Sequence, residues 1–445
     1  MNKIKFIHFS DIHVGLQTHG KINPATGKNT RLEDILSSLD FVVDYAAHRQ
    51  VDLIVIAGDV FHRENPHPTE EIEFAKRIER ITRESEAKVV MVLGNHDYPT
   101  ASGRASAVEI FPALNIPGVT ILTKPLVLSV DTKNGTVQIA SLPWATRAML
   151  LTKDEYKSMN PEELNLEIEK RIIGIIREQK KALDRTLPSI FLAHLSVRDA
   201  KLSGTERDTL TTSDPTIPTS ELASSAFNYV ALGHIHKFQD LNKGSEPPVV
   251  YSGSLERIDF SEEKEKKGFV YGELERDGEG WKCSYEFVES PARKFLTINI
   301  KCDDLSHNEA PLLSKLNDTE DPVNSDATGH MSSESHDENP IDYEKLFINR
   351  PSDEDVRDAV VRVRYTVSDP GEIIDEKSIK SGLENAHSIK IEKIFEKPKK
   401  VIRQTGLTRT MSVMEALDLY LRSKPELKNM TSGMKEAARK LIDES

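Results

Sequence analysis

The segment Ile4-Lys5-Phe6-Ile7-His8-Phe9-Ser10-Asp11-Ile12-His13 joins a short apolar run to a carboxylate and an imidazole. Four later runs of β-branched or aromatic residues also end in polar side chains: Val51–Ala57 before Gly58-Asp59, Val89–Leu93 before Gly94-Asn95-His96-Asp97, Ile190–Ala193 before His194, and Tyr229–Leu232 before Gly233-His234-Ile235-His236. Short runs of this composition predict buried strands. We therefore expect the polar residues at their ends to converge on one edge of a sheet, where α/β enzymes place their sites.

The chain between the first two predicted strands has the period of a helix. Apolar residues recur three and four positions apart through Arg31–His48, and the strand Val51–Ala57 follows after a short turn. A second helix is expected over Glu70–Glu84, with Thr69 as its N-cap. A strand, a helix and a strand joined by short turns predict a parallel sheet covered by helices, which is the α/β class.

Seven of the polar residues at the strand ends are candidate metal ligands, and they combine imidazole, carboxylate and amide groups: Asp11, His13, Asp59, Asn95, His194, His234 and His236. This donor set suits Mn²⁺, Fe²⁺ or Zn²⁺ better than Ca²⁺, Mg²⁺ or a structural zinc. Seven ligands exceed what one ion needs when a substrate must also bind. They suit two ions about 3.5–4 Å apart that share a carboxylate, an arrangement used in phosphate-ester hydrolysis.

The negative charge of the chain is concentrated in one segment. The formal net charge is −13, which is not that of a simple basic DNA-binding protein. Residues 303–346 hold twelve acidic residues against two lysines, and so account for −10 of that charge. The rest of the chain has a net charge near zero, which is compatible with a local basic surface. Because the acidic segment has few apolar residues, we expect it to be disordered or an exposed insertion.

Length and cysteine content bound the class of protein. A chain of 445 residues predicts two or three domains. Two cysteines do not make a disulfide framework, so a reducing compartment is expected. The apolar start Ile4–Phe9 is interrupted by His8 and is too short for a signal peptide. No apolar run approaches the length of about 20 residues that a membrane span needs, and we expect a soluble, cytoplasmic protein.

The order of these motifs resembles the calcineurin-like metallophosphoesterase superfamily. Asp-x-His, Gly-Asp, Gly-Asn-His-Asp, a lone His and Gly-His-x-His follow one another here. The resemblance implies a metallophosphoesterase core of two sheets flanked by helices. By residue match it implies two metal sites that share Asp59, the first held by Asp11, His13, Asp59 and His236 and the second by Asp59, Asn95, His194 and His234.

Three residues beside these ligands are candidate catalytic residues. His96 lies between a predicted ligand and a carboxylate, a setting that suits proton donation to a leaving group. The resemblance makes Asp97 the group that orients His96. It makes His62 a second catalytic histidine or one that positions DNA, although a surface turn histidine is the other interpretation of this position.

Two segments narrow the resemblance to the SbcD/Mre-type double-strand-break repair nucleases. Gly-Asp-x-Phe-His at residues 58–62 runs into a proline-rich turn, and residues 249–260 read Val-Val-Tyr-Ser-Gly-Ser-Leu-Glu-Arg-Ile-Asp-Phe. The family implies a Mn²⁺-dependent 3′-to-5′ double-strand exonuclease and endonuclease that acts on DNA ends and hairpins. It also implies a nucleoid-associated nuclease homodimer with two SMC-like ATPase subunits of the SbcC type. No P-loop sequence occurs in this chain, so any ATP dependence is expected to come from that partner.

The resemblance also implies a domain layout. Residues 1–290 are expected to form the nuclease domain, and residues 291–400 a small α+β domain that caps the DNA and carries the insertion at 303–346. Residues 401–445 are expected to form a helical tail with two short amphipathic segments, which must bury their apolar faces against something. In the family such helices bind the ATPase partner, and packing within the chain is the alternative interpretation.

Two other functions are compatible with parts of the sequence. An enzyme of the same fold that acts on a small phosphodiester or nucleotide would explain the ligands, but it would not explain the capping domain or the tail. A non-catalytic scaffold would explain the tail, but folding alone does not require seven polar ligands at one edge of a sheet. We therefore expect a DNA nuclease, with the small-substrate phosphoesterase as the alternative.

Overall fold

The computed structural model describes nine ranges of the chain: 3–101, 103–145, 159–203, 214–278, 280–301, 351–367, 376–395, 413–422 and 431–443. The acidic segment predicted to be disordered, residues 303–346, lies outside these ranges, as do residues 401–412 at the start of the predicted tail. Both expectations therefore stay predictions.

The first sheet carries the N-terminal strands. Its strands are β1 Lys3–Phe9, β2 Leu53–Ile56, β3 Lys88–Val92, β4 Val119–Leu122, β13 Gly268–Asp277 and β14 Gly280–Glu289. Their order is β14-β13-β1-β2-β3-β4. Strands β1 to β4 are parallel, whereas β13 is antiparallel to β1 and forms a hairpin with β14. The parallel β-α-β start expected from the sequence is confirmed.

The second sheet holds the strands from the middle of the chain. Its strands are β5 Leu126–Thr132, β6 Gly135–Leu142, β7 Ser189–His194, β10 Tyr229–Gly233, β11 Gln239–Asp240 and β12 Val249–Tyr251. Their order is β11-β12-β10-β7-β6-β5, with parallel strands in the centre and an antiparallel strand at each edge. A short parallel pair, β8 Ser196–Val197 and β9 Thr216–Ile217, lies outside this sheet.

The described helices are α1 Thr30–Arg49, α2 Pro68–Glu84, α3 Ile110–Ala113, α4 Pro161–Ala182, α5 Thr219–Leu222, α6 Asp353–Val356, α7 Glu376–Ser381, α8 Val413–Arg422 and α9 Thr431–Asp443. The prediction that Thr69 caps the second helix is wrong. His67 is the N-cap, because its ring accepts the main-chain N–H of Thr69 while the Glu70 carboxylate accepts the N–H of His67. This reciprocal pair is a capping box in which an imidazole replaces the usual hydroxyl. None of the described helices is both long and apolar enough to cross a bilayer.

Three apolar clusters give the core its layers. One lies between the first sheet and helices α1 and α2, and includes Ile35, Val42, Ile54, Phe74 and Val89. A second lies between α4 and the second sheet, and includes Ile168, Ile172, Phe191 and Val230. A third lies between the two sheets, and includes Phe6, Val55, Ile139, Leu192 and Tyr229. The core is thus helix, sheet, sheet and helix, which confirms the predicted two-sheet α/β fold.

The described C-terminal residues add a small sheet and a helix pair. Strands β15 Phe295–Lys301, β16 Val360–Val367 and β17 Ser388–Phe395 form a sheet in that order. Two compact units are found, one of Met1–Tyr365 with Ile374–Glu392, the other of Thr366–Ile373 with Lys393–Ser445. In the second unit α8 contacts α9, and Lys435 pairs with Asp418 between them.

Candidate metal centre

The predicted ligands come from five strand ends. Asp11 and His13 follow β1, Asp59 follows β2, Asn95 follows β3, His194 ends β7, and His234 and His236 follow β10. Four of them have a positive φ: 51° at Asp11, 52° at His13, 53° at Asp59 and 102° at His234. Non-glycine residues seldom adopt this conformation, and where they do they cluster at functional sites. The turns after the strands therefore hold a strained backbone that turns these side chains towards one another.

The first group of ligands surrounds His13. Its Nε2 lies 3.2 Å from Nε2 of His236 and 3.9 Å from Oδ2 of Asp59. Potential ligand atoms of Asp11, His13 and His236 all lie within 4.8 Å of one another. Together with Asp59, these residues are the set that the resemblance implied for the first ion.

The second group surrounds Asn95. Its Oδ1 lies 3.0 Å from Nε2 of His194 and 3.0 Å from Nδ1 of His234. Oδ2 of Asp59 lies 3.5 Å from the same Nε2 of His194. The structure thus brings all seven predicted ligands into two adjacent groups, with the carboxylate of Asp59 close to both.

Main-chain groups orient several of these side chains. Nδ1 of His194 donates to the carbonyl of Ala57 at 2.7 Å, which leaves the lone pair on Nε2. The main-chain N–H of His234 donates to both oxygens of Asp11, at 3.0 and 3.1 Å. The hydroxyl of Ser10 donates to Oδ2 of Asp11 at 2.5 Å. The groups are therefore held in place by the fold itself.

Burial favours the protonation state in which imidazole binds metals. Burial, with the neighbouring histidines adding to it, holds the pKa of His13 and of His234 well below the ordinary value of 6.5. Burial also raises the pKa of Asp11, and the charges of nearby histidines oppose that shift. Nδ1 of His13 and Nε2 of His234 are buried without a hydrogen-bond partner among the described residues. Neutral imidazoles whose other ring nitrogens, Nε2 of His13 and Nδ1 of His234, lie beside carboxylate and amide oxygens fit divalent cations such as Mn²⁺ or Zn²⁺.

The candidate catalytic residues lie beside the first group. Nδ1 of His96 donates to the main-chain carbonyl of His62 at 2.9 Å, and the two rings are stacked with centroids 5.7 Å apart. The ring of His96 is also 4.8 Å from that of His13. Potential ligand atoms of these three histidines lie within 4.8 Å of one another. His62 and His96 thus face the metal centre together.

Asp97 is placed differently from the expectation. Its carboxylate accepts main-chain N–H groups at 3.1 to 3.2 Å, from Val60, Phe61 and Gly94. Burial, followed by the charge of Asp59, raises the pKa of Asp97 to about 6, and these hydrogen bonds oppose the shift. The resemblance made Asp97 the group that orients His96, and no hydrogen bond joins these two side chains among the described residues. Asp97 ties the turn after β2 to the turn after β3, and the carbonyl of His62 orients His96.

Two glycines allow the two groups to approach each other. Gly58 has a φ of +90°, and a Cβ there would lie 2.5 Å from Nδ1 of His194. A Cβ on Gly94 would lie 2.1 Å from Oδ1 of Asp59. Real Cβ atoms do not come so close to other heavy atoms, so side chains at either position would displace a predicted ligand.

Two residues that contact the centre are not ligands. Nδ1 of His236 lies 2.9 Å from Oε1 of the buried Glu262. The ring of Trp144 packs on His234 and His194, with centroid distances of 5.0 and 5.9 Å. The sequence analysis missed Glu262 because it stands in a run of acidic and basic residues that is typical of a solvated surface.

Residues 4–238 match the family model described as calcineurin-like phosphoesterase. The match spans more than half of the 445 residues. The chain belongs to the calcineurin-like phosphoesterase family. The metallophosphoesterase resemblance seen in the motifs is thereby confirmed, and this phosphoesterase carries all seven predicted ligands within the matched span.

This phosphoesterase is also similar to individual proteins. It is 26% identical to the SbcD subunit of the nuclease SbcCD of Staphylococcus saprophyticus over 327 residues, which are 71% of this chain and 76% of that protein. A Thermus thermophilus protein of known crystal structure is 14% identical in sequence, with a TM-score of 0.35. The match covers 63% of this chain and 98% of that chain. A dimetal phosphatase from Danio rerio is 11% identical, with a TM-score of 0.35 and coverages of 64% and 98%. TM-scores this low carry no weight for function.

Proposed function

We propose that this phosphoesterase is a two-metal DNA nuclease that processes DNA ends in double-strand-break repair, as a 3′-to-5′ double-strand exonuclease and an endonuclease. The position of Asp59 is the main observation that supports this proposal. Its Oδ2 lies 3.9 Å from Nε2 of His13 and 3.5 Å from Nε2 of His194. One carboxylate thus stands between two groups of ligands, as a bridge between two ions requires.

The ligands divide into two sets that share this carboxylate. The first ion would be held by Asp11, His13, Asp59 and His236, and the second by Asp59, Asn95, His194 and His234. Mn²⁺ is the proposed metal, because the donors mix imidazole with carboxylate and amide oxygens. When bound, the ions would polarise the scissile phosphate and make water more acidic.

His96 is the proposed proton donor. Because its Nδ1 donates to the carbonyl of His62, its Nε2 is left for the substrate. In the proposed reaction a water oxygen forms a bond to phosphorus and gives up a proton to solvent, and the bond from phosphorus to the leaving oxygen breaks. His96 acts as an imidazolium with protons on both nitrogens, gives the Nε2 proton to that leaving oxygen and keeps the Nδ1 proton. His62, stacked on the same ring, is proposed as a second catalytic or DNA-positioning histidine.

Two features support DNA as the substrate and an ATPase as the partner. Residues 249–260 resemble the SbcD/Mre-type nucleases, and a relative with 26% identity is named as a nuclease subunit of SbcCD. We accordingly propose a nucleoid-associated homodimer with SMC-like ATPase subunits of the SbcC type. In this proposal residues 1–290 are the nuclease domain, 291–400 the DNA-capping domain and 401–445 the tail that binds the ATPase.

Cleavage of an end-labelled blunt duplex by the purified chain with Mn²⁺ tests the proposal. His96→Ser should slow cleavage about a hundredfold or more, whereas His48→Ser, at an exposed histidine of α1, should leave it unchanged. The assay is run with and without an SbcC-type subunit, because the proposal includes that partner. Hydrolysis of bis(p-nitrophenyl) phosphate without cleavage of duplex or single-stranded DNA in either case would favour the small-substrate alternative.

A further inference from the structure

Glu262 lies directly behind one proposed ligand. Its Oε1 accepts a hydrogen bond from Nδ1 of His236 at 2.9 Å. An ionised carboxylate only accepts, so the proton sits on Nδ1 and the lone pair on Nε2. That Nε2 faces His13 at 3.2 Å, inside the first group of ligands. Glu262 thereby selects the tautomer of His236 that can bind a metal ion.

Lys267 holds the other side of this carboxylate. Its Nζ lies 2.8 Å from Oε2 of Glu262 and donates to the main-chain carbonyl of His236 at 2.9 Å. The N–H of Ile258 donates to the same Oε2 at 2.9 Å. The side chains of Glu262 and Lys267 are both 0% exposed. The carboxylate is therefore held from three directions and cannot turn away from the imidazole.

Stability alone is a poor explanation for this buried pair. Two charges lose their hydration on burial. A protein that has apolar side chains of the same size in their place is often as stable or more stable. Local structure also fixes the position of Glu262, because this residue ends a one-turn helix, Phe260–Glu262. The N-cap of that helix, Asp259, accepts the N–H of Ser261 at 2.7 Å. A buried carboxylate that backs a metal-binding histidine is a recurrent way to raise the affinity of the site.

We propose that Glu262 is a positioning residue for the first metal ion, and that Lys267 holds Glu262 in place for that role. The inference rests on the proposed two-metal function and adds an asymmetry to it. His236 is backed by a charged carboxylate, whereas His194 of the second group is backed by the neutral carbonyl of Ala57 at 2.7 Å. Loss of Glu262 should therefore weaken one ion and spare the other.

Calorimetric titration of the metal-free full chain with Mn²⁺ alone tests this asymmetry. Glu262→Gln keeps the size of the side chain and removes its charge, and we expect one ion to bind about 10- to 100-fold more weakly with the other unchanged. The matched control is Glu256→Gln. Glu256 is also buried and paired with a buried arginine, Arg31, at 3.2 Å, but none of its hydrogen bonds reaches a predicted ligand. That variant should bind both ions as the unmodified chain does.

The outcomes separate this inference from the proposed function. Unchanged Mn²⁺ affinities in Glu262→Gln would overturn the role of Glu262. Equally weakened binding of both ions in Glu262→Gln and Glu256→Gln would do the same. Neither result would overturn the two-metal function. An unmodified chain that binds fewer than two Mn²⁺ would instead overturn the two-metal function. Nitrogen NMR of the histidines in the metal-free, unmodified chain gives a readout that needs no variant to fold. We expect His236 to carry its proton on Nδ1, and a proton on Nε2 would contradict the inference.

Discussion

The main-chain N–H of His96 donates to Oδ1 of Asp59 at 2.9 Å. The proposed bridging carboxylate is therefore oriented by the backbone of the residue whose side chain is the proposed proton donor. The two functions of this residue can be separated by substitution, because a change of side chain leaves the backbone N–H in place.

Replacing His96 should slow the chemical step and spare the metal sites. In His96→Ser the N–H bond to Asp59 remains, so both Mn²⁺ ions should bind as before. Loss of the proton donor should slow cleavage about a hundredfold or more. Cleavage rates and Mn²⁺ titrations of the same preparations check this, with His48→Ser as the control. Loss of an ion in His96→Ser would mean that the imidazole is itself a ligand.

Asp59 should matter to both ions, unlike any histidine of the centre. Its Oδ2 lies near one histidine of each group, so Asp59→Asn removes negative charge from both sites at once. We expect both Mn²⁺ affinities to fall by more than about a hundredfold, because loss of an outer partner already costs that much. His194→Gln, which alters only the second group, should weaken one ion. Weakening of a single ion in Asp59→Asn would show that the carboxylate does not bridge.

The strand ends and the positions of the candidate ligands were predictable because both depend on local sequence. A buried parallel strand is an apolar run in any context, and its carboxyl end fixes where the next polar residue lies, as Asp11 after β1 and Asp59 after β2 illustrate. The pairing of Glu262 with His236 was not predictable, because it joins residues 26 apart that are separated by strands β11 and β12. The charged run that begins at Glu262 gave no signal that this side chain is buried.

Contacts between side chains and the main chain were also poorly predicted from the sequence. The resemblance made Asp97 the group that orients the neighbouring His96, and in the structure its carboxylate accepts three N–H groups from two turns. His67 caps α2 in place of Thr69, because an imidazole nitrogen can accept an N–H as a hydroxyl does. Adjacency in sequence does not determine which partner a polar side chain finds.

Gly58→Ala should disturb the second group of ligands. The φ of +90° disfavours alanine, and the added Cβ would lie 2.5 Å from Nδ1 of His194. We expect a loss of stability of about 1–3 kcal/mol together with weaker binding of one Mn²⁺. The control is Gly174→Ala within α4, where a Cβ would meet no atom within 4 Å. That variant should be more stable by about 0.5–1 kcal/mol. Chemical denaturation and Mn²⁺ titration measure both effects, and unchanged Mn²⁺ binding in Gly58→Ala would contradict the prediction.

His8 should make the core sensitive to acid. It is fully buried on β1, with Nδ1 3.0 Å from the hydroxyl of Tyr229. Burial lowers the pKa of His8 from 6.5 to about 3, so between these values the unfolded chain binds a proton that the folded chain does not. The stability from neutral His8 is complete above pH 6.5 and falls by about 1.4 kcal/mol per pH unit as the pH drops towards 3. Other groups titrate in the same range, so the test is a difference. His8→Asn cannot titrate, and its free energy of unfolding should depend less steeply on pH by that amount, whereas the exposed His48→Asn should follow the unmodified chain. Equal slopes for His8→Asn and the unmodified chain would mean that His8 is protonated inside the folded core.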